Sequence, residues 1–189
     1  MKRQAQSIIM EENDNGGGQP PTEMKIHQLI ADLNNPSVNT RHQAVRTLGA
    51  IGKPAVEPLI RELEGAPDND HRWYAAVALS GIGAAAVEPL ISAMKVHKDT
   101  EFRRYAAAAL GNIGIPAIEH IIDAMASDDR QMRGFLSGAL CRIGKPAVEP
   151  LSRRLKDADD IIRSCVTLTL WQMGETGIPA IVDEVQEEE

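Results

Sequence analysis

Residues 68–83 read Asp-Asn-Asp-His-Arg-Trp-Tyr-Ala-Ala-Val-Ala-Leu-Ser-Gly-Ile-Gly, and this pattern decides the fold because it recurs along the chain. In each copy an arginine is followed eleven residues later by a glycine. The pairs are Arg41 and Gly52, Arg72 and Gly83, Arg103 and Gly114, Arg133 and Gly144, and Arg163 and Gly174. A period near thirty residues predicts a solenoid of stacked helical pairs, which presents an extended curved surface instead of one closed pocket.

Each copy contains the start, the apolar face and the end of one helix. A capping residue stands four positions before each arginine; these residues are Ser37, Asp68, Asp99, Asp129 and Asp159. Serine and aspartate accept hydrogen bonds from the free N–H groups of a first helical turn. Apolar residues follow the arginine at offsets three, four, seven and ten, which lie on one face of a helix. The glycine is expected to end that helix.

A second helix precedes each of these arginine-bearing helices. Its segments are Pro54–Ile60, Ala85–Ile91, Pro116–Ile122 and Pro146–Ser152, and Met24–Leu33 supplies the corresponding helix of the first copy. One further helix is predicted at about 178–186. The expected architecture is therefore an all-α solenoid of about five helical pairs with a C-terminal capping helix.

Composition bounds the organisation of the chain. Residues 1–22 are polar and interrupted by Gly16-Gly17-Gly18, so we expect a flexible tail before a repeat domain at 23–186 and an acidic end at 187–189. The net charge of −7 argues against a general nucleic-acid binder. Cys141 and Cys165 form no disulfide framework. No apolar run reaches the roughly 18 residues of a membrane helix, and we expect a cytoplasmic protein.

The Asp-x-x-x-Arg spacing, the Ala-Leu-Gly-x-Ile-Gly ending at 109–114 and the Ala-Val-Glu-Pro-Leu-Ile opening at 55–60 resemble HEAT repeats. The specific similarity is to the short variety named after phycobilisome lyases, and it covers about residues 24–186. The resemblance implies a right-handed superhelix. It also implies that the Glu-Pro-Leu-Ile helices form the convex side and the arginine-bearing helices the concave side.

The recurring arginines have two interpretations. In the first, they form a structural ladder in which each arginine meets the capping aspartate of its own or a neighbouring turn. The ladder comprises Asp68, Arg72, Asp99, Arg103, Asp129, Arg133, Asp159 and Arg163. Residues four apart share a helical face, which favours this interpretation. In the second, the arginines are a row of cations that bind an anion, and Arg41 is then the most available because Ser37 replaces the aspartate.

The concave columns beside the arginines carry the candidate binding residues. Offsets one, two, five and nine point away from the apolar face of the helix. The binding residues predicted from these columns are Trp73, Tyr74, Arg104, Tyr105, Phe135, Arg142, Arg46 and Asn112. Aromatic residues and arginine are enriched at interface hot spots. The alternative is that Tyr74, Tyr105 and Phe135 fill gaps between helices. Phe102 and Trp171 lie outside these columns and are assigned to packing.

Sequence motifs for catalysis are not found in the chain. The five histidines are scattered, with no His-Glu-x-x-His motif and no His-Glu dipeptide of the kind that holds iron in HEAT-repeat deoxyhypusine hydroxylases. The repeat glycines lack the Gly-Lys-Ser/Thr ending of a phosphate loop. Cys141 and Cys165 are interpreted as small, partly buried residues. We therefore expect no catalytic residue, no metal and no cofactor.

Three functions remain open at this level. The leading one is a non-catalytic scaffold that binds another protein or a peptide segment on its concave face. The second is an accessory subunit or enzyme that handles a chromophore or cofactor, as the phycobilisome-lyase resemblance suggests. The third, nucleic-acid binding by concave arginines such as Arg46, Arg104, Arg130 and Arg142, is disfavoured by the acidic charge.

Overall fold

The computed structural model describes residues 21–157 and 159–187, and each regular element there is a helix. The helices are α1 (Pro21–Asp32), α2 (Val38–Ile51), α3 (Val56–Gly65), α4 (Asn69–Ile82), α5 (Val87–Val96), α6 (Thr100–Ile113), α7 (Ile118–Ala124), α8 (Arg130–Ile143), α9 (Val148–Arg153), α10 (Asp160–Gln172) and α11 (Ile178–Glu187). They form the five predicted pairs and the capping helix. Most of the predicted tail and residues 188–189 of the acidic end lie outside the described residues.

The five predicted capping residues are confirmed. Each side chain accepts a hydrogen bond from a backbone N–H in the first turn of the helix that follows it. The donors are Thr40 for Ser37, His71 for Asp68, Phe102 for Asp99, Met132 for Asp129, and both Ile161 and Ile162 for Asp159. These bonds fix the starts of α2, α4, α6, α8 and α10, because otherwise the first-turn N–H groups would lack partners.

Glycine ends the first four arginine-bearing helices at a backbone angle that other residues avoid. Gly52, Gly83, Gly114 and Gly144 have φ between 75° and 79°. The chain then makes a short 3₁₀ turn before the next helix, so α3 begins at Val56, two residues after the predicted start. In the fifth copy α10 ends at Gln172 and the positive φ falls at Gly174.

The core is built by the predicted apolar offsets. At offset seven, each copy places a leucine that is fully shielded from solvent; these are Leu48, Leu79, Leu110, Leu140 and Leu170. The preceding helices contribute equally buried residues, which are Leu59, Leu90, Ile121 and Leu151. Burial of a leucine side chain stabilises a fold by about 1.5–3 kcal/mol. This repeated column is therefore the main source of cohesion between the two helix layers.

The two helix layers differ in how closely their neighbouring helices pack, and this difference bends the stack of repeats. Neighbouring arginine-bearing helices pack more closely against each other than neighbouring helices of the other layer do. Glycines allow this close approach: a Cβ placed on Gly49 of α2 would lie 3.4 Å from the backbone of Gly81 in α4. The more closely packed layer lies on the inside of the bend, so α2, α4, α6, α8 and α10 line the concave side.

One stretch among the described residues, Asn69–Val96, has the length of a membrane span, and an 18-residue window within its 28 residues has a mean hydropathy of 1.6. Gly83 divides this stretch into α4 and α5. Leu79 and Leu90 in these helices are fully buried against the neighbouring repeats. The high hydropathy of this stretch therefore comes from apolar residues that α4 and α5 contribute to the protein core.

Candidate functional site

Arg103 is the most deeply buried charged residue of the arginine-bearing layer, with 1% of its surface exposed. Its Nε donates hydrogen bonds to the carbonyl oxygens of Met94 (3.1 Å) and His97 (2.8 Å). Nη1 donates to Oε1 of Gln131 at 3.1 Å, and Nη2 donates to Oδ2 of Asp129 at 2.8 Å. The guanidinium therefore joins the end of one repeat to the start of the next, and it is a structural residue.

The carboxylate of Asp129 is held in its charged form by these contacts. The hydrogen bond from Arg103, followed by the backbone N–H of Met132, lowers the pKa of Asp129 from 3.8 to about 2. Asp129 thus caps α8 and binds the preceding repeat at the same time. Arg103 to Asp129 is the neighbouring-turn contact that the ladder hypothesis predicts.

The other arginines do not form the predicted ladder. Arg41, Arg133 and Arg163 instead bind the backbone carbonyl six residues earlier, and Arg163 also pairs with Asp160, which is not a capping residue. Nη1 of Arg41 donates to Asn35 at 2.6 Å, that of Arg133 to Ser127 at 2.7 Å and that of Arg163 to Asp157 at 2.7 Å. Arg72 has a buried Nε with no hydrogen-bond partner in the described part of the chain.

All the capping aspartates bind N–H groups of their own helices, and among the described residues only Asp129 also uses its second oxygen to bind one of the recurring arginines. Asp68, Asp99 and Asp159 each turn toward the N–H groups of the helix that they cap. Each arginine that makes this carbonyl contact reaches past that cap to the free end of the preceding loop. The guanidinium donates a hydrogen bond to a loop carbonyl, which the carboxylate of a helix cap cannot do because it only accepts hydrogen bonds.

Trp73 and Tyr74 differ in exposure although they are adjacent. Trp73 is 48% exposed, as predicted for a surface residue, whereas Tyr74 is 7% exposed. Tyr74 lies beneath the guanidinium of Arg41 at 5.0 Å and meets the Trp73 ring edge-on, with ring centroids 4.8 Å apart. The assignment of Tyr74 to the binding surface is therefore wrong, because stacking between repeats buries it. Tyr74 supports Trp73 from below.

The next copies continue this surface. Arg104 is exposed, forms an ion pair with Glu101, and stacks on Tyr105 with 5.0 Å between its guanidinium carbon and the ring centre. Tyr105 and Phe135 are half-buried. These two side chains fill part of the gap between helices while leaving an edge in solvent, so both of the interpretations made from the sequence apply to them.

Arg46, Asn112 and Arg142 are exposed on the same side of the molecule. Nη1 of Arg142 lies 3.4 Å from Oδ1 of Asn112, across the boundary between α8 and α6. The small residue Gly111 makes room for this arginine, because a Cβ at Gly111 would lie only 2.7 Å from Cδ of Arg142. The structure thus brings Asn112 and Arg142 together, and it leaves Arg46 bonded to Gln43 at the other end of the surface.

Three adjoining depressions form what we call the concave groove. The first, between α6 and α8, encloses about 200 Å³ and is lined by Arg104, Phe135, Gly134, Gly138 and Arg142. The second, between α8 and α10, encloses about 260 Å³ and includes Arg130, Arg133, Gly134, Ser164 and Leu168. The third, about 580 Å³ beside α11, includes Leu155, Ser164, Leu168, Trp171 and Ile181. Shared lining residues connect each depression to the next.

Trp171 was assigned to packing, and the structure corrects this assignment. Its side chain is 65% exposed in the concave groove. Earlier copies carry small residues at the same offset, namely Gly49, Ser80, Gly111 and Cys141. Those positions lie where the next arginine-bearing helix crosses, and within the described residues α10 has no such neighbour. Phe102 is 1% exposed, which confirms its packing role.

The two cysteines have the environment expected of partly buried residues. Both are half-buried. Burial raises the pKa of the Cys141 thiol, and it also raises that of Cys165, where the nearby Arg133 acts in the opposite direction. Both thiols therefore favour the protonated form, which is a weak nucleophile. In the described part of the chain, no three metal-binding side chains of the His, Cys, Asp and Glu types cluster together.

Comparison with known proteins gives a family. The HEAT-repeat family model matches residues 26–110, 56–134 and 87–171. No curated protein sequence matches the chain significantly.

Several solved structures are similar to this chain at low identity. The complex of CpcE and CpcF of phycocyanin lyase from Nostoc sp. PCC7120 is 22% identical, over 78% of this chain and 98% of that chain, with a TM-score of 0.41. An engineered protein is 21% identical over 87% and 86% of the two chains, with a TM-score of 0.36. Computationally designed armadillo repeat proteins for modular peptide recognition are 19% identical over 84% and 91%, with a TM-score of 0.31.

Proposed function

Because the chain belongs to the HEAT-repeat family, we propose that it is a non-catalytic interaction module that binds another protein along its concave side. The binding surface in this proposal comprises the concave groove, which includes Arg104, and the adjoining residues Trp73 and Tyr105. We also propose that the protein acts in the cytoplasm, in keeping with its acidic charge and its unpaired cysteines.

The observation that carries this proposal is where the two exposed tryptophans lie, with the exposed Leu168 beside one of them. Trp73, Leu168 and Trp171 are each about half exposed or more, and all three are on arginine-bearing helices. Exposed tryptophan offers a large contact area with few side-chain torsions to immobilise, which makes it a frequent interface hot spot. A solenoid that exposes these side chains on its arginine-bearing layer supports binding of an elongated protein segment.

The arginines beside these residues support the same function. Arg142 and Arg104 are exposed, and each is oriented by a neighbour, Asn112 in one case and Tyr105 in the other. Side chains that are already ordered lose less entropy on binding. A protein partner that offers carboxylate and apolar groups would therefore find both kinds of contact prepared.

Affinity capture from the source cells tests this proposal. The wild-type protein is compared with a Trp73→Ala, Tyr105→Ala double variant. The control variant is Val96→Ala, Ile115→Ala, which shortens two side chains that are 74% and 68% exposed outside the concave side. We expect the same partner on the wild type and the control, with about tenfold less on the concave variant. Equal capture by all three proteins would show that this surface is not the interface.

A further inference from the structure

Four arginines surround the part of the concave groove that lies over α6, α8 and α10. They are Arg104, Arg130, Arg133 and Arg142. Among the described residues, no aspartate or glutamate lines these two depressions. This concentration of positive charge stands in a chain whose net charge is −7. The groove is therefore a local electrostatic exception that favours an anionic partner group.

Most of this positive charge is not neutralised by the protein. Arg130 is exposed and forms no ion pair in the described ranges. Arg142 is bonded to the neutral side chain of Asn112, and Arg133 to a backbone carbonyl. Only Arg104 has a carboxylate partner, Glu101, which is placed outside the groove lining. Three guanidinium groups are thus available to carboxylates from outside.

The surface of α8 between these arginines carries no side chains at two positions. Gly134 and Gly138 are one helical turn apart on the exposed face of α8, and a Cβ on either would meet nothing within 4 Å. Glycine inside a helix weakens it relative to alanine, so the intramolecular packing does not account for these residues. Their absence of side chains lets another chain approach the helix backbone closely.

The groove continues to a mainly apolar end, which is also bordered by Arg163 and by Glu184, the partner of Lys156. Leu168 and Trp171 are 55% and 65% exposed there, beside the half-buried Ile181. On the same helix α10, Ser164 lies one turn before Leu168 and borders both the charged and the apolar section. A partner lying along the groove would therefore meet arginines first and an apolar surface next.

We infer that the partner is an acidic protein segment that carries a large apolar residue. Its carboxylates bind Arg130, Arg133 and Arg142, its backbone lies over Gly134 and Gly138, and its apolar side chain packs on Leu168 and Trp171. This inference rests on the proposed function and specifies the chemistry of the partner. A protein segment fits better than a nucleic acid, because a segment can place carboxylates at the arginines and an apolar side chain at Leu168 and Trp171, whereas a polyphosphate carries its charge along its whole length.

A display selection tests the inference. A library of random twelve-residue peptides is panned against the wild-type protein, and the enriched peptides are synthesised. Their affinities are then measured for the wild type and for two double variants. The groove variant carries Arg130→Glu and Arg142→Glu. The control carries Arg61→Glu and Lys95→Glu, which makes the same charge change on the other helix layer. Circular dichroism verifies that each variant is folded.

We expect the enriched peptides to be net negative and to contain a large apolar residue. Reversal of the two groove charges should weaken their binding about tenfold or more, while the control stays within about twofold. Enrichment of neutral or basic peptides, or equal loss on both variants, overturns the inference and leaves the proposed function standing. Failure to enrich any peptide overturns the proposed function itself. If a 20-nucleotide DNA strand binds at ~50 mM salt in competition with the peptides, the partner is a nucleic acid and not a protein segment.

The two surface glycines of α8 supply a second, independent measurement. Gly134→Ala, Gly138→Ala adds two methyl groups where the chain itself leaves open space. We expect the melting temperature to rise by about 2–4 °C while the enriched peptides bind at least about fivefold more weakly. Gly65→Ala, outside the groove, is the control and should leave binding unchanged. Unchanged peptide binding in the double variant would overturn the close approach to α8.

Discussion

Arg103 and Asp129 join two successive repeats through a 2.8 Å contact between Nη2 and Oδ2. The arginine belongs to α6 and the aspartate caps α8, so one ion pair links the two central helices of the concave layer. The same guanidinium also binds two carbonyl oxygens at the end of α5. Three helices of the solenoid therefore depend on one buried side chain.

Replacement of Arg103 by alanine should destabilise the protein more than any other single arginine substitution in this layer. The change leaves the carbonyls of Met94 and His97 unsatisfied and removes the partner of Asp129, at a cost of about 2–3 kcal/mol. For a chain of this size the melting temperature should fall by roughly 5–10 °C. Thermal unfolding followed by circular dichroism measures this difference.

Arg163→Ala is the matched control for that experiment. The Arg163 side chain is 44% exposed and pairs with Asp160, three residues earlier on the same helix, so its loss should cost less than about 1 kcal/mol. Equal melting temperatures for the Arg103 and Arg163 variants would contradict the structural role assigned to Arg103.

Acid should destabilise the fold through Asp129. The pKa of Asp129 is lowered from 3.8 to about 2 in the folded protein, so the unfolded chain binds this proton more readily. The stabilisation is complete above about pH 4 and is lost as the pH falls toward 2. Urea unfolding between pH 2 and 6 should show this loss. Asp129→Asn retains the helix cap but cannot titrate, and its stability should vary less over this range.

Substitution of Gly114 should be costly although its surroundings are open. A Cβ there would meet nothing within 4 Å, but the residue has φ 79° and ψ −136°, which side chains with a Cβ rarely adopt. We expect Gly114→Ala to lose about 1–3 kcal/mol in denaturant unfolding. Gly65→Ala, which has no positive φ, should be neutral or slightly stabilising, and equal losses would contradict the backbone explanation.

A buried hydroxyl pair between α8 and α10 should contribute to stability. Oγ of Ser137 lies 2.9 Å from Oγ1 of Thr169 and donates to Oε1 of Gln172 at 2.9 Å. Thr169 is fully buried. Thr169→Val keeps the shape but leaves Ser137 one partner short, which should cost about 1–2 kcal/mol. Thr167→Val on the same helix is the control. An equal loss for both variants in urea unfolding would contradict this role.

The two tryptophans should report on the concave side separately. Trp73 is 48% exposed and Trp171 is 65% exposed. In Trp171→Phe and Trp73→Phe variants, each remaining tryptophan should emit as a hydrated indole and be quenched by acrylamide. Addition of a bound partner peptide should protect Trp171 most if the peptide follows the concave groove. Blue-shifted, unquenched emission without a partner would show that the side chain is buried.

The sequence predicted the helices of this fold because each helix carries its own boundary residues. The capping aspartates and the ending glycines act within four or five residues, so local chemistry decides them. The column of buried leucines followed from helical periodicity alone. The predicted start of α3 was two residues too early, because Pro54 lies in a 3₁₀ turn after Gly52 and not in the helix itself.

The binding surface was less accessible to this reasoning. The arginine ladder failed at most positions because a guanidinium can reach either an aspartate or a loop carbonyl, and the loop geometry decides between them. Tyr74 was buried by Arg41 from the neighbouring repeat, a contact that spans 33 positions in the sequence. Trp171 was misassigned because its exposure depends on which helix packs beside α10. Comparison of Trp171 with the small residues at the same offset was the signal that could have revealed it.

The close approach of Gly49 and Gly81 has a mechanical consequence. With a hypothetical Cβ only 3.4 Å from the opposing backbone, α2 and α4 have no clearance for further inward bending. Between α8 and α10 a depression of about 260 Å³ leaves such clearance. We therefore expect the first repeats to resist tightening of the solenoid more than the last repeats do. A guest of different thickness should be accommodated at the last repeats.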